Sequence, residues 1–160
     1  LCPVWWTIAA GIVLAGLAWV LAGVGFPVGV GGRSPRDSLG RLGVSDTTLW
    51  WMFPYFCVVN PWIEEWFWRG AVSRWFRECG RPVRHGAGVA SLCFAVWHAV
   101  PVSFLFAPWV SGCSVLVLAA LGYGAECLRR RGSCLWELAM WHGVAVDFPI
   151  AVWLVRVLVF

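Results

Sequence analysis

Long stretches of this chain carry no charge at all. Leu1–Gly32, Thr47–Ile63 and Gly86–Ala125 hold no Asp, Glu, Lys or Arg, and Leu138–Val155 holds only Asp147. A helix of about 20 apolar residues crosses a bilayer. As one helix, Gly86–Ala125 would be about 60 Å long, twice the hydrocarbon thickness, so it must form two spans. Phe106-Ala107-Pro108-Trp109 is the natural break, since proline favours a turn and tryptophan the interface. The pattern predicts five spans, roughly 5–26, 48–68, 87–106, 109–127 and 135–156. Charged residues make up 12% of the chain, where soluble domains have about a quarter. The expected fold is an all-α, polytopic transmembrane helical bundle, one domain over residues 1–160 with a motif-bearing core at about 48–156. The first span lacks the basic start of a signal peptide and is too long for one. The chain does not begin with Met, so further helices upstream are expected.

All twelve basic residues are arginine, and the net charge is +4. Arg69, Arg74, Arg77, Arg81 and Arg84 lie around the connection between the second and third spans, and Arg129–Arg131 between the fourth and fifth. Arg33, Arg36 and Arg41, partly offset by Asp37 and Asp46, fall on the opposite side. The positive-inside rule places the two Arg-rich loops in the cytoplasm. Membrane lipid with anionic headgroups is the expected partner, and no motif points to nucleic acid. Arginine without lysine suggests a GC-rich coding sequence, hence a bacterial plasma membrane. Seven cysteines show no C-x-x-C spacing, so neither a disulfide framework nor a zinc finger is expected. Cys57, Cys93 and Cys113 are expected to be buried as small hydrophobes, and Cys127 and Cys134 reduced beside the Arg loop. The tryptophans, Trp5-Trp6 and Trp50-Trp51 among them, read as interfacial belts.

Ionisable groups inside a span are costly, about 2.5–3.5 kcal/mol for Asp or Arg at the centre. Glu64, Glu65, Arg69, His98, His142 and Asp147 therefore need a compensating purpose. Glu65 and Arg69 stand four apart with the acid first, the favourable order for a helical ion pair. Glu64 lies about 100° around the helix and can face elsewhere, as the unpaired carboxylate. Asn60-Pro61, just before the glutamates, signals either a kink or a restarted helix whose positive end favours them. Measured from one membrane face, Glu64 lies about 15 Å deep from Arg74, His98 about 18 Å from Gly86 and His142 about 17 Å from Arg131. Three polar residues at one level imply a shared site. Such a set has two chemical uses. Glu64 can activate water as a general base with His98, while His142 donates to an oxyanion. Alternatively Glu64, His98 and His142 can ligate a divalent metal such as zinc, leaving a position for water. Both uses are hydrolytic.

Three motifs occur in order: Glu64-Glu65-x-x-x-Arg69, Phe94-x-x-x-His98, and His142 on a later helix. This set resembles the CPBP family, the type II CAAX prenyl endopeptidases and bacteriocin-processing or immunity-type membrane proteases also called the Abi family. The resemblance implies an intramembrane peptidase, metallo- or glutamate-type, cleaving a membrane-associated protein or peptide. It implies Glu64 and His98 as the water-activating pair, Glu65 with Arg69 in support, and His142 as a second catalytic residue. The family's third motif is H-x-x-x-N, or Asp for Asn. Here position +4 is Val146, and the acid is Asp147 at +5. On a regular helix the His142 and Asp147 side chains would point about 140° apart. Pro149 removes a backbone hydrogen bond and would allow a π-bulge that reunites them.

Other protease classes fit poorly: there is no H-E-x-x-H, and a lone Asp147 makes no aspartyl dyad. The alternative from another class is a non-catalytic immunity or scaffold protein that keeps the fold. A transporter with a carboxylate–histidine relay would show inverted repeats, and none is visible.

Overall fold

The computed structural model describes residues 4–24, 30–80 and 82–160, with the side chains of residues 4–6, 46, 83 and 84 left aside. The expected end of the first span at Phe26, the Trp5-Trp6 belt and the Arg81 and Arg84 side chains lie outside this description. The described residues form helices and connections, with no strand.

Helix α1 runs Val4–Gly23. A single 3-10 turn, Val30–Gly32, leads to the short α2, Pro35–Arg41. Ser34 caps α2, accepting from the Asp37 amide at 3.1 Å and donating to the Asp37 carboxylate at 2.7 Å. That second bond holds the Asp37 carboxyl below its ordinary range. From residue 46 to residue 78 the chain is continuously helical but alternates in pitch. It runs through α3 (Asp46–Pro54), a π segment at Tyr55–Val59, α4 (Asn60–Glu65), a second π segment at Trp66–Val72, and α5 (Ser73–Glu78). Then come α6 (Val83–Leu105) and α7 (Pro108–Arg130), a hairpin broken where Phe106–Trp109 predicts it. The last helical run is α8 (Leu135–His142), a third π segment at Gly143–Asp147, and α9 (Phe148–Val159).

Among the described residues, three helices are long and apolar enough to cross a membrane: His85–Leu105, Pro108–Arg130 and Leu135–Val159, with mean hydropathies of 1.7, 1.5 and 1.6. Thr7–Gly23 is a shorter apolar helix. The run from 46 to 78 is about 50 Å long by helical rise but carries the internal charges. Large apolar side chains face outward all along the bundle, with Trp51 80%, Leu116 72% and Trp97 65% exposed. Hydrocarbon is the solvent that tolerates such a surface. Cys93 and Cys113 belong to it, contrary to the expectation that they are buried, while Cys57 is half-buried. In lipid an outward-facing thiol costs no hydrophobic burial, so nothing forces it inward.

Two close approaches lock the middle of the bundle. A side chain at Gly11 of α1 would collide with the Val144 carbonyl, and one at Gly143 would stand 2.5 Å from the Cys57 carbonyl. The third π segment is thus wedged between α1 and the first π segment. Gly11 meets Val144 and, further along both helices, Arg156 stacks over Trp19 at 5.0 Å, so α1 and α9 run in the same direction. Leu39, Leu49 and Leu158 close one end of the bundle as a small core beneath α2. The two Arg-rich connections meet at the other end, where Arg77 and Arg130 approach the same Glu126 at 3.8 and 3.6 Å.

Candidate active site

The site is built where three interrupted or proline-bearing helices face one another at mid-height. α4 brings Asn60, Glu64 and Glu65, α6 brings Phe94 and His98, and the α8–π segment brings His142 and Asp147.

Asn60 does not start a helix. Its backbone is helical (φ −58°, ψ −49°), and its N–H donates five residues back to the Tyr55 carbonyl. The helix therefore runs on through Asn60-Pro61 without restarting, behind a π segment. Pro61 lacks the amide that would bond the Cys57 carbonyl in an α-helix, which favours the local change of pitch.

Glu65 is 2% exposed and lies 3.1 Å from Arg69, itself 5% exposed. The Arg69 Nη1 contact is close but not aligned as a hydrogen bond. The same Glu65 Oε1 is 2.9 Å from His142 Nδ1. A carboxylate only accepts, so the imidazole donates there and its tautomer follows from the chemistry. Glu64 is not unpaired. Its Oε1 accepts from Asn60 Nδ2 at 3.2 Å and lies 3.3 Å from His98 Nε2. Its Oε2 lies 3.6 Å from His142 Nε2 and has no hydrogen-bond partner in the protein. The two glutamates therefore do not simply face apart. They reach opposite ring nitrogens of one histidine.

His98 Nδ1 sits 2.8 Å from the Phe94 carbonyl, four residues back on its own helix. A carbonyl cannot donate, so Nδ1 carries the hydrogen and Nε2 meets Glu64 through a shared proton. Phe94 is the apolar floor of the site. Its ring packs against His98 at 4.5 Å and His142 at 5.9 Å, and Arg69 stacks on it at 4.5 Å.

Asp147 reaches the site despite its offset. The chain from His142 to Asp147 is a π segment, with the Phe148 amide bonded to the Gly143 carbonyl five residues earlier. This wider turn brings the residue at +5 round to the histidine, and Asp147 Oδ1 lies 3.5 Å from His142 Nε2. The expected bulge before Pro149 is present. Asn60 Nδ2 also lies 3.4 Å from Asp147 Oδ2, so one amide bridges the first and third motifs. Sequence reasoning missed Asn60 as a site residue. Its spacing of four from Glu64 is a helical amide–carboxylate pair and was the available signal.

The candidate metal ligands Glu64, His98 and His142 lie side by side. Glu64 stands between the imidazoles with one oxygen toward each, and among the described residues no group of three His, Cys, Asp or Glu side chains could hold a metal ion. The arrangement suits proton transfer: a carboxylate with a free lone pair, one imidazole sharing its proton, and another that donates from Nδ1 to Glu65.

A family model described as "Type II CAAX prenyl endopeptidase Rce1-like" matches residues 46–146, which include Glu64, Glu65, Arg69, Phe94, His98 and His142 and end one residue before Asp147. No curated protein and no solved structure matches the chain.

Proposed function

Because the chain belongs to the Rce1-like type II CAAX prenyl endopeptidase family, a family of membrane proteases, we propose that it hydrolyses a peptide bond of a membrane-associated protein or peptide by a glutamate-type mechanism. The observation that carries this reading is Glu64 lying between His98 and His142 at 3.3 and 3.6 Å.

In this reading, Glu64 Oε2 takes a proton from water, and His98 accepts or returns it through Oε1. The water oxygen attacks the scissile carbonyl. The oxyanion receives a hydrogen bond from His142 Nε2, while Glu65 holds Nδ1 and thereby the ring orientation. Asp147 and Asn60 fix the position of His142 and Glu64. The amine leaves with the proton that Glu64 and His98 had stored. The Arg-rich end faces the cytoplasm, by the positive-inside rule.

The test is cleavage of a lipidated, membrane-bound reporter peptide by protein reconstituted in liposomes. Wild type should cleave, and Glu64→Gln and His98→Ala should each lose about 100-fold or more, as removal of a general acid–base group does. Full activity in both variants sinks the site assignment. A wild type inactive on every reporter returns the scaffold reading. Metal analysis of the same preparation should find well under one zinc per chain. Stoichiometric zinc with chelator-sensitive activity would replace the glutamate mechanism by a metal one.

A further inference from the structure

Three arginines at the α2 end of the bundle have no part in the site described above. Arg33, Arg36 and Arg41 fall within nine residues of one another. Arginines at opposite ends of a bundle work against each other in setting its orientation, so topology does not account for this group. All three line one cleft of about 530 Å³, between α2 with its following turn and the end of α9. Half-buried Val44 and buried Leu158 form its apolar side.

The cleft lies where hydrocarbon ends. Beneath α2 is the Leu39–Leu49–Leu158 core, on which Leu105 at the end of α6 and Leu154 and Val155 near the end of α9 also pack. Both of those helices finish spans long and apolar enough to cross a membrane. The arginines above them therefore stand at the level of lipid headgroups.

Their charge is not consumed within the protein. Among the described residues, the arginines in ion pairs are Arg69, Arg74, Arg77 and Arg130, none of them in this group. Asp37 is the one acid lining the cleft. Its Oδ2 is engaged by Ser34, accepting from the hydroxyl at 2.7 Å and from the amide at 3.3 Å. Three guanidinia against one carboxylate leave the lining with a surplus of two positive charges. Gly40 also lines the cleft, and a Cβ there would meet no atom within 4 Å. The backbone of α2 is thus open to approach between Arg36 and Arg41.

We propose that this cleft binds the headgroup phosphate of an anionic phospholipid, with Arg33, Arg36 and Arg41 on the phosphate oxygens and Val44 and Leu158 against the glycerol and the first methylenes of the chains. The planar guanidinium fork matches phosphate oxygens. A lipid whose headgroup is otherwise uncharged keeps the negative charge of its phosphodiester, whereas a choline headgroup cancels it. Free phosphate would satisfy the arginines but leave the apolar side of the cleft uncovered. The proposal does not depend on the peptidase reading.

Native mass spectrometry of the full chain in a neutral detergent, titrated with dioleoyl-phosphatidylglycerol, counts bound lipids and gives the affinity of the tightest one. Arg36→Gln and Arg41→Gln should each weaken that affinity about fivefold, the contribution of one arginine near an anionic surface. Gly40→Leu should weaken it at least as much, because it fills the cleft without altering charge. It should not disturb the fold, since the added side chain has open space and leucine is the better helix former. Arg131→Gln, at the other end of the bundle, should leave the affinity unchanged. Phosphatidylcholine should bind more weakly, and inorganic phosphate should displace the lipid no better than chloride of equal ionic strength. If Gly40→Leu binds like wild type, the arginines act only as diffuse charge and the cleft is not a site. Equal weakening by Arg131→Gln, or equal affinity for phosphatidylcholine, also overturns the proposal. Displacement by inorganic phosphate alone would make the ligand a free phosphate and overturn the lipid assignment.

Discussion

At the scale of residues, the site is a set of groups too polar for their surroundings that satisfy one another. Arg69 is the clearest case, buried between Glu65 and the Phe94 ring. Removing one partner of a buried ion pair leaves an uncompensated charge, at about 3–5 kcal/mol. Arg69→Ala should therefore destabilise the protein by about that amount in detergent unfolding. Glu65→Gln combined with Arg69→Met should cost clearly less than Arg69→Ala alone, since the orphan charge is gone. Equal losses would show that packing on Phe94, and not charge, is what Arg69 supplies. Much at this scale was legible in sequence. The spacing of Glu65 and Arg69 and the common depth of Glu64, His98 and His142 follow from helical geometry alone. What was not legible is which atom meets which. That both glutamates reach His142, and that Asn60 bridges Glu64 to Asp147, depends on how separate helices are rotated against each other, which no single helix encodes. Glu126 escaped notice for the same reason, reading as the end of a span and not as a partner of Ser73 and Arg77.

At the scale of elements, the bundle is distinguished by three π segments, each next to the site and two of them adjoining a proline. The one after His142 was foreseeable because Asp147 is one residue out of register and Pro149 weakens the helix behind it. The two in the 46–78 run gave no such sign, since no motif measured their register. A π segment is an α-helix with one extra residue, found frequently at functional sites. Deleting Ala145 should therefore convert Gly143–Asp147 to regular helix, place the acid four residues after His142, and leave α9 in its packing register. The variant should stay folded, with a melting shift of about 2–4 °C for each kcal/mol lost, and should retain reporter cleavage if the acid's position is what matters. Deleting Ala95 from the regular helix α6 should behave differently. It turns His98 by about 100° relative to Phe94 and should abolish cleavage. If the Ala145 deletion unfolds the protein as badly as the Ala95 deletion, the π segment is needed for packing between α1 and the Tyr55–Val59 segment and not only for the register of Asp147.

At the scale of the whole molecule, two ends of opposite character decide orientation. One end gathers the arginines of the two Arg-rich connections, fastened together at Glu126. The other carries α2 and the Leu39–Leu49–Leu158 core. Composition alone identified a membrane bundle but overstated its uniformity: three helices meet the length and hydropathy of a span, and the helix with the glutamates departs from them because it carries the site's charges. The arginine end should lie in the cytoplasm, because translocating a cluster of arginines is opposed during insertion. Two native cysteines make this measurable. Cys79 and Cys134 are exposed and lie at the arginine end, in the connections that follow α5 and precede α8. In variants keeping one of these and no other cysteine, an impermeant maleimide should fail to label intact cells and should label after the membrane is opened. Arg33→Cys in a cysteine-free background should label in intact cells, since Arg33 is exposed beside α2. The reverse pattern would put the arginine end outside. The candidate site would keep its geometry, but a cytoplasmic substrate would then have to reach it from the α2 end, past the closed Leu39–Leu49–Leu158 core.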